Sequence, residues 1–165
     1  MNSIQLSLSP IADFNILKKN TWIVLTDIEK TPPHASIIQD GLWYSLRFKE
    51  SKIGGELSGF TTMIIRKKIP AVLLEIDIAP TLSSIAGFYA KYNKIDIAKN
   101  ITCVTPFNEY LASIKLLHSD NLLLWETIQI LYEKQLILRC MSCFADYSCY
   151  LIKKYNREDL ITLLL

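Results

Sequence analysis

Two side chains in this sequence have the types and order of a base and a nucleophile. His34 heads a strand-like run, His34-Ala-Ser-Ile-Ile-Gln-Asp-Gly-Leu-Trp-Tyr-Ser-Leu46, and Cys103 follows about seventy residues later, near the start of a helix-like segment. A cysteine attacks as its thiolate, and a helix N-terminus or a neighbouring imidazolium lowers the thiol pKa, by about one to five units in known cases. A third polar group normally orients the imidazole and fixes its tautomer. The residues placed to do so are Ser45, Arg47 and, at the strand end, Glu50. Arg47 would repel an imidazolium, which leaves Glu50 or Ser45. The chemistry such a set performs is acyl transfer, in which Cys103 attacks an acyl carbon and His34 accepts its proton.

The elements that must position this pair follow from local signals. Thr21 to Thr26 is a β-branched and aromatic run of strand length, and Thr31-Pro32-Pro33 forces extended or turning backbone just before His34. Asp40-Gly41 between two β-prone runs predicts a two-residue type I′ turn, because both central positions need positive φ. Counting outward from it pairs Ile38 with Trp43, Ser36 with Ser45 and His34 with Arg47. One face then carries His34, Ser36, Ser45 and Arg47 around Ile38 and Trp43. The other carries Ala35, Ile37, Leu42, Tyr44, Leu46 and Phe48 and reads as the core face.

Farther along, Glu50 to Gly59 holds Gly54, Gly55 and Gly59 and reads as a mobile loop, a lid over the site. Phe60 to Lys68 reads as a short helix ended by Pro70, Ala71 to Ile78 as a strand, and Thr81 to Lys94 as irregular or weakly helical. Near Thr102 to Pro106 a helix begins, with Phe107, Tyr110, Leu111, Ile114 and Leu117 on one face and Thr105 as its cap. Asn121 caps a further helix through about Lys134, and the apolar stretch from Leu136 to Tyr155 reads as helical. Strands first and helices last predict an α+β fold, a small antiparallel sheet packed against helices.

The hairpin "HASIIQDGLWYSL" followed by "NITCVTPFNEYL" resembles the circularly permuted papain-like group, which includes lecithin retinol acyltransferase-like and NlpC-type relatives. The resemblance covers roughly residues 21–115, with a helical C-terminal part at about 121–165, inside a single domain spanning 1–165. It implies a cysteine hydrolase or acyltransferase (peptidase, amidase or thioesterase, where water takes the acyl group) with Cys103 as nucleophile and His34 as general base. The partner it implies is a peptide-like or acyl substrate, and it implies no cofactor.

Composition excludes much else. The 165 residues are 50% hydrophobic and 21% charged, which excludes disorder. Eighteen Lys and Arg against sixteen Asp and Glu give a net charge of +2, no electrostatic case for nucleic acid. No run reaches the roughly 18 apolar residues of a membrane span. The N-terminus lacks the pattern of a secretory signal, so a cytoplasmic location with reduced cysteines is expected. Cys140, Cys143 and Cys149 form C-x2-C-x5-C without the second knuckle that zinc usually requires; on a helix, Cys140 and Cys143 would share a packing face with Phe144, Tyr147 and Leu151, and no metal is expected. His118, near the end of the Cys103 helix, reads as a surface residue. No phosphate loop or dinucleotide fingerprint is present. The competing reading is a non-catalytic interaction or structural domain. It would oligomerise through its apolar C-terminal helices, using Leu122 to Trp125 and Leu160 to Leu165.

Overall fold

A computed structural model describes residues 3–79 and 81–162. The strands are β1 (Ser3–Ser7), β2 (Ser9–Pro10), β3 (Thr21–Thr26), β4 (His34–Gln39), β5 (Leu42–Leu46), β6 (Ser51–Glu56), β7 (Ala71–Ile76), β8 (Ile137–Cys143) and β9 (Cys149–Lys153). The helices are α1 (Leu57–Lys67), α2 (Ile85–Tyr89), α3 (Thr105–Ser113), α4 (Leu124–Glu133) and α5 (Arg157–Thr162). The fold is α+β, and its main sheet is larger than the sequence predicts: seven strands in the order β2-β8-β7-β3-β4-β5-β6, beside a separate β1-β9 pair. All pairings are antiparallel except the short β2-β8 contact, which is parallel.

The turn expected at Asp40-Gly41 forms, with φ of 50° and 78° at its two central residues. Its register is the one counted from sequence, with Ser36 opposite Ser45 and Ile38 opposite Trp43. What differs is the solvent. The face carrying His34 was expected to be polar, but it is covered by α1 and by the 3-10 turn Phe14–Lys18. There Leu17, Trp22, Val24, Ile38, Trp43, Phe60 and Ile64 form one apolar layer. Ser36 and Ser45 lie buried at its margin. The opposite face packs Ile23, Leu25, Ile37, Tyr44, Val72 and Leu74 against residues of α2, α3 and α4. The sheet is thus the middle of three layers.

Several expectations are overturned. The glycine segment is not a lid: Ser51–Glu56 forms edge strand β6 on β5, with a register shift between Trp43 and Ser45. Gly54 sits there at φ 63°, at the point where the register shifts, so it serves an irregular pairing. Gly59 belongs to α1, which starts earlier than predicted. The C-terminal part is helical only in α4 and α5, since Leu136 to Tyr155 contains β8 and β9. Gln135, at φ 58°, ends α4, and β8 then pairs along β7, satisfying backbone groups that no local signal could assign. In β8, Cys140 and Cys143 do not share a face: Cys140 packs toward α2–α4 and Cys143 toward α1. Leu123 and Leu124, expected in an exposed interface, are core residues, and Leu163 to Leu165 lie outside the described residues.

Both helix starts near the site differ from expectation. Val104, not Thr105, is the N-cap of α3; the Thr105 hydroxyl instead accepts from the Thr102 amide at 2.8 Å, bracing the chain around Cys103. Helix α4 is capped by Glu126, whose carboxylate accepts from the Leu123 amide at 2.7 Å, whereas Asn121 binds Arg157. Asn108, fully buried in α3, joins the two helices. Its amide donates to the Leu122 carbonyl at 2.8 Å and its oxygen accepts from the Thr127 hydroxyl at 2.7 Å. Asn108→Ala strands the Leu122 carbonyl in the interior and removes an acceptor, so urea unfolding is expected to show a loss of about 2 kcal/mol or more. A change under about 0.5 kcal/mol, the range of a neutral surface substitution, would contradict this role for the bridge.

Candidate functional site

The head of β4 opens into a cavity of about 830 Å³ whose walls include His34, Cys103, Asp27, Arg47, Glu50 and Tyr155. Strand β4 delivers His34, and the segment leading into α3 delivers Cys103. The two approach from different sides of the sheet. His34 projects on the α1 side, where its Nε2 lies 3.0 Å from the Ser45 hydroxyl on the neighbouring strand. Cys103 packs on the α2–α4 side, and its sulfur accepts from the backbone amide of Ala35 at 3.5 Å. The thiol therefore touches the peptide unit that follows His34, while no hydrogen bond joins the imidazole to the sulfur.

Electrostatics separate this resting site from a preformed ion pair. Burial first, and then the Arg47 guanidinium, hold the His34 imidazole down at about 4, against a smaller upward pull from Asp27. The ring is neutral at pH 7 and able to accept a proton. Burial pushes the Cys103 thiol above its ordinary value, although the amides of Ala35 and of Cys103 itself both favour the thiolate. Desolvation wins here over the lowering expected from the helix end and an imidazolium. In this state the thiol keeps its proton.

Of the candidate orienting groups, the structure brings Ser45 to the imidazole. The exposed Glu50 lines the cavity and accepts from the Arg47 amide through its backbone carbonyl at 2.9 Å, while among the described residues its carboxylate makes no hydrogen bond to His34. Arg47, expected to repel an imidazolium, does act against the charged ring.

Three nearby residues lie outside the predicted site: Asp27 and Tyr155, which carry no signal in the sequence, and Tyr89, which reads there only as a core or pocket-wall aromatic. Asp27 follows β3, which pairs with β4 so that Thr26 opposes His34; reading that register would have brought Asp27 to the head of β4, where its charge favours the imidazolium. Tyr89, at the end of α2, is fully buried, and its hydroxyl has no partner among the described residues. Burial raises its pKa well above the usual value, and negative charge at Cys103 would raise it further, which puts this orphan hydroxyl within electrostatic reach of the sulfur. Tyr155 comes from the segment after β9, far from Cys103 in sequence. No local pattern marks either tyrosine.

Among the described residues no helix is long and apolar enough to cross a membrane. Comparison with family models, curated proteins and solved structures gives no match for this chain.

The low His34 value predicts a pH-dependent stability. An unfolded chain protonates His34 near 6.5, whereas the folded chain resists until about 4, so stability present above pH 6.5 is lost as the pH falls toward 4. In urea unfolding at pH 7 and 4.5, wild type should lose roughly 2–3 kcal/mol more than His34→Gln over that interval. Equal losses in the two proteins would show that His34 is not desolvated.

Proposed function

We propose that the cavity at the head of β4 is the site of a cysteine-dependent hydrolase or acyltransferase, with Cys103 as nucleophile and His34 as proton acceptor. The observation that carries this reading is the joint placement of both side chains in one cavity, with the Cys103 sulfur receiving the Ala35 amide. A sulfur that accepts N–H donors is prepared to hold developing negative charge. The imidazole in the same cavity is neutral and carries a lone pair for the thiol proton. The α+β frame, with a strand-borne histidine preceding the cysteine at a helix start, is compatible with the permuted papain-like arrangement.

The reaction runs through a covalent intermediate. The thiol proton passes to His34, and the sulfur adds to the acyl carbon. Collapse of the tetrahedral species expels the leaving group, which takes the proton back. Water or another acceptor then releases the acyl group. Because Ser45 holds the imidazole in the resting state, proton transfer requires the ring to turn toward the sulfur or to act through one bridging water. Contacts of this kind commonly tighten only when substrate is bound. The cavity rim carries Lys30, Lys49 and Lys67 besides Arg47, against Asp27 and Glu50, a setting that suits an acyl substrate bearing negative charge.

A second reading has its own support. The raised thiol is what a structural cysteine shows, and β8, β9 and the turn between them leave Leu138, Phe144, Tyr147 and Leu151 exposed. This is the interaction domain, with a strand-built surface in place of the helical one expected.

Acylation by p-nitrophenyl acetate, mapped by mass spectrometry, separates the two. For the enzyme, Cys103 is acylated in preference to the exposed Cys149. The rate should fall below pH about 4, where His34 protonates, and His34→Ala should slow it by about 10²-fold or more. Acylation that spares Cys103, or that ignores His34, would leave the interaction domain as the better account.

A further inference from the structure

The C-terminal segment supplies a group that the acyl-transfer reading needs and the hairpin does not provide. Adding a thiolate to a carbonyl moves a pair of electrons onto the carbonyl oxygen, and a buried site must offer that oxygen a hydrogen-bond donor already in place. Tyr155 is buried and lines the same cavity as Cys103. It is fixed at two points by the start of α4. The indole N–H of Trp125 donates to its carbonyl at 2.8 Å, and the amide of Leu124 donates to its phenolic oxygen at 3.0 Å.

The second contact gives the phenol a direction. Its oxygen already accepts a hydrogen bond from an amide in the first turn of a helix, where the backbone carries positive partial charge. Accepting that bond polarises the O–H and strengthens it as a donor. Among the described residues no protein acceptor takes the phenolic hydrogen, so the donor is free for the cavity. Negative charge at Cys103 would also push the Tyr155 ionisation further up, beyond the rise that burial causes, so the two groups sense each other and the phenol stays protonated through neutral pH.

We propose that Tyr155 is a catalytic residue of the reaction assigned to Cys103, its phenol O–H donating to the carbonyl oxygen as the tetrahedral intermediate forms. The proposal rests on the Cys103 nucleophile reading. Tyr155 transfers no proton. The C–S bond forms as the carbonyl π pair moves to oxygen, the Tyr155 hydrogen bond shortens onto that oxygen, and collapse restores the carbonyl while the leaving group departs with the proton held by His34.

Two reagents distinguish these roles at the same sulfur. Acylation by p-nitrophenyl acetate passes through an oxyanion, whereas alkylation by iodoacetamide displaces iodide at a saturated carbon and forms none. Tyr155→Phe is expected to slow Cys103 acylation by roughly 10- to 100-fold, near the lower end of the effect of losing one oxyanion donor, and to leave alkylation within about two-fold. Should Tyr155→Phe disturb folding through the lost Leu124 contact, 3,5-difluorotyrosine at position 155 keeps the shape and the oxygen while making the phenol a stronger donor. Acylation should then accelerate with alkylation unchanged. The proposal is overturned if acylation and alkylation fall together, or if acylation is indifferent to both changes. A Cys103 that alkylates but never acylates in wild type also overturns it. Inertness of wild-type Cys103 to both reagents would instead remove the nucleophile reading itself, and Tyr155's role with it.

Discussion

The centre of the main sheet is buried on both faces, and this two-sided burial governs where the other elements can lie. Trp22, Ile23, Val24 and Leu25 of β3 are fully enclosed, as are Val72, Leu73 and Leu74 of β7. Side chains alternate along a strand, so each of these strands feeds two separate apolar layers. Each layer has to be roofed, one by α1 and the Phe14–Lys18 turn, the other by α2, α3 and α4. At about 25 cal/mol per Å² of apolar surface, leaving either layer open would cost more than a domain of this size can spare. The candidate site exists where the roofing ends, at the head of β4.

That location explains the site's electrostatics. At this strand end, beside two apolar layers, desolvation acts on both groups in the direction of neutrality: the imidazole goes down and the thiol goes up. The result is a neutral imidazole and a protonated thiol lining one cavity, with N–H donors from Ala35 and Cys103 at the sulfur. Such a site stores little charge, and its hydrogen-bond donors gain strength from the same burial that keeps it neutral.

The one buried carboxylate of the central strands follows the same logic. Glu75 of β7 lies opposite Arg139 of β8, which pairs with its carboxylate and stacks on the Trp22 ring, while Asn20 donates to it at 2.7 Å. Burial alone would raise this carboxyl, yet the bonds from Arg139 and Asn20 bring it below its usual value. By period two alone Glu75 reads as a solvent-facing position between Leu74 and Ile76. Its partner comes from a strand sixty-odd residues away that the sequence disguises as helix.

Short-range signals along the chain fix only what neighbouring residues can enforce. Asp40-Gly41 dictates a turn because few other residues tolerate two successive positive φ values, and the turn in turn dictates that Ser36 faces Ser45 and that His34 falls on the Ser45 side. The Phe107 to Leu111 spacing likewise suffices for the helix behind Cys103. The rest follows from packing between distant segments. Whether Leu136 to Tyr155 becomes helix or strand depends on the open edge of β7, since an apolar run without strict period satisfies either, and unpaired backbone at that edge tips the choice. Burial of the His34 face depends on α1 arriving from later in the chain. The meeting of Ser45 with His34, of Cys103 with the Ala35 amide, and of Tyr155 with both α4 and the cavity joins segments far apart in sequence, and no local propensity encodes such encounters.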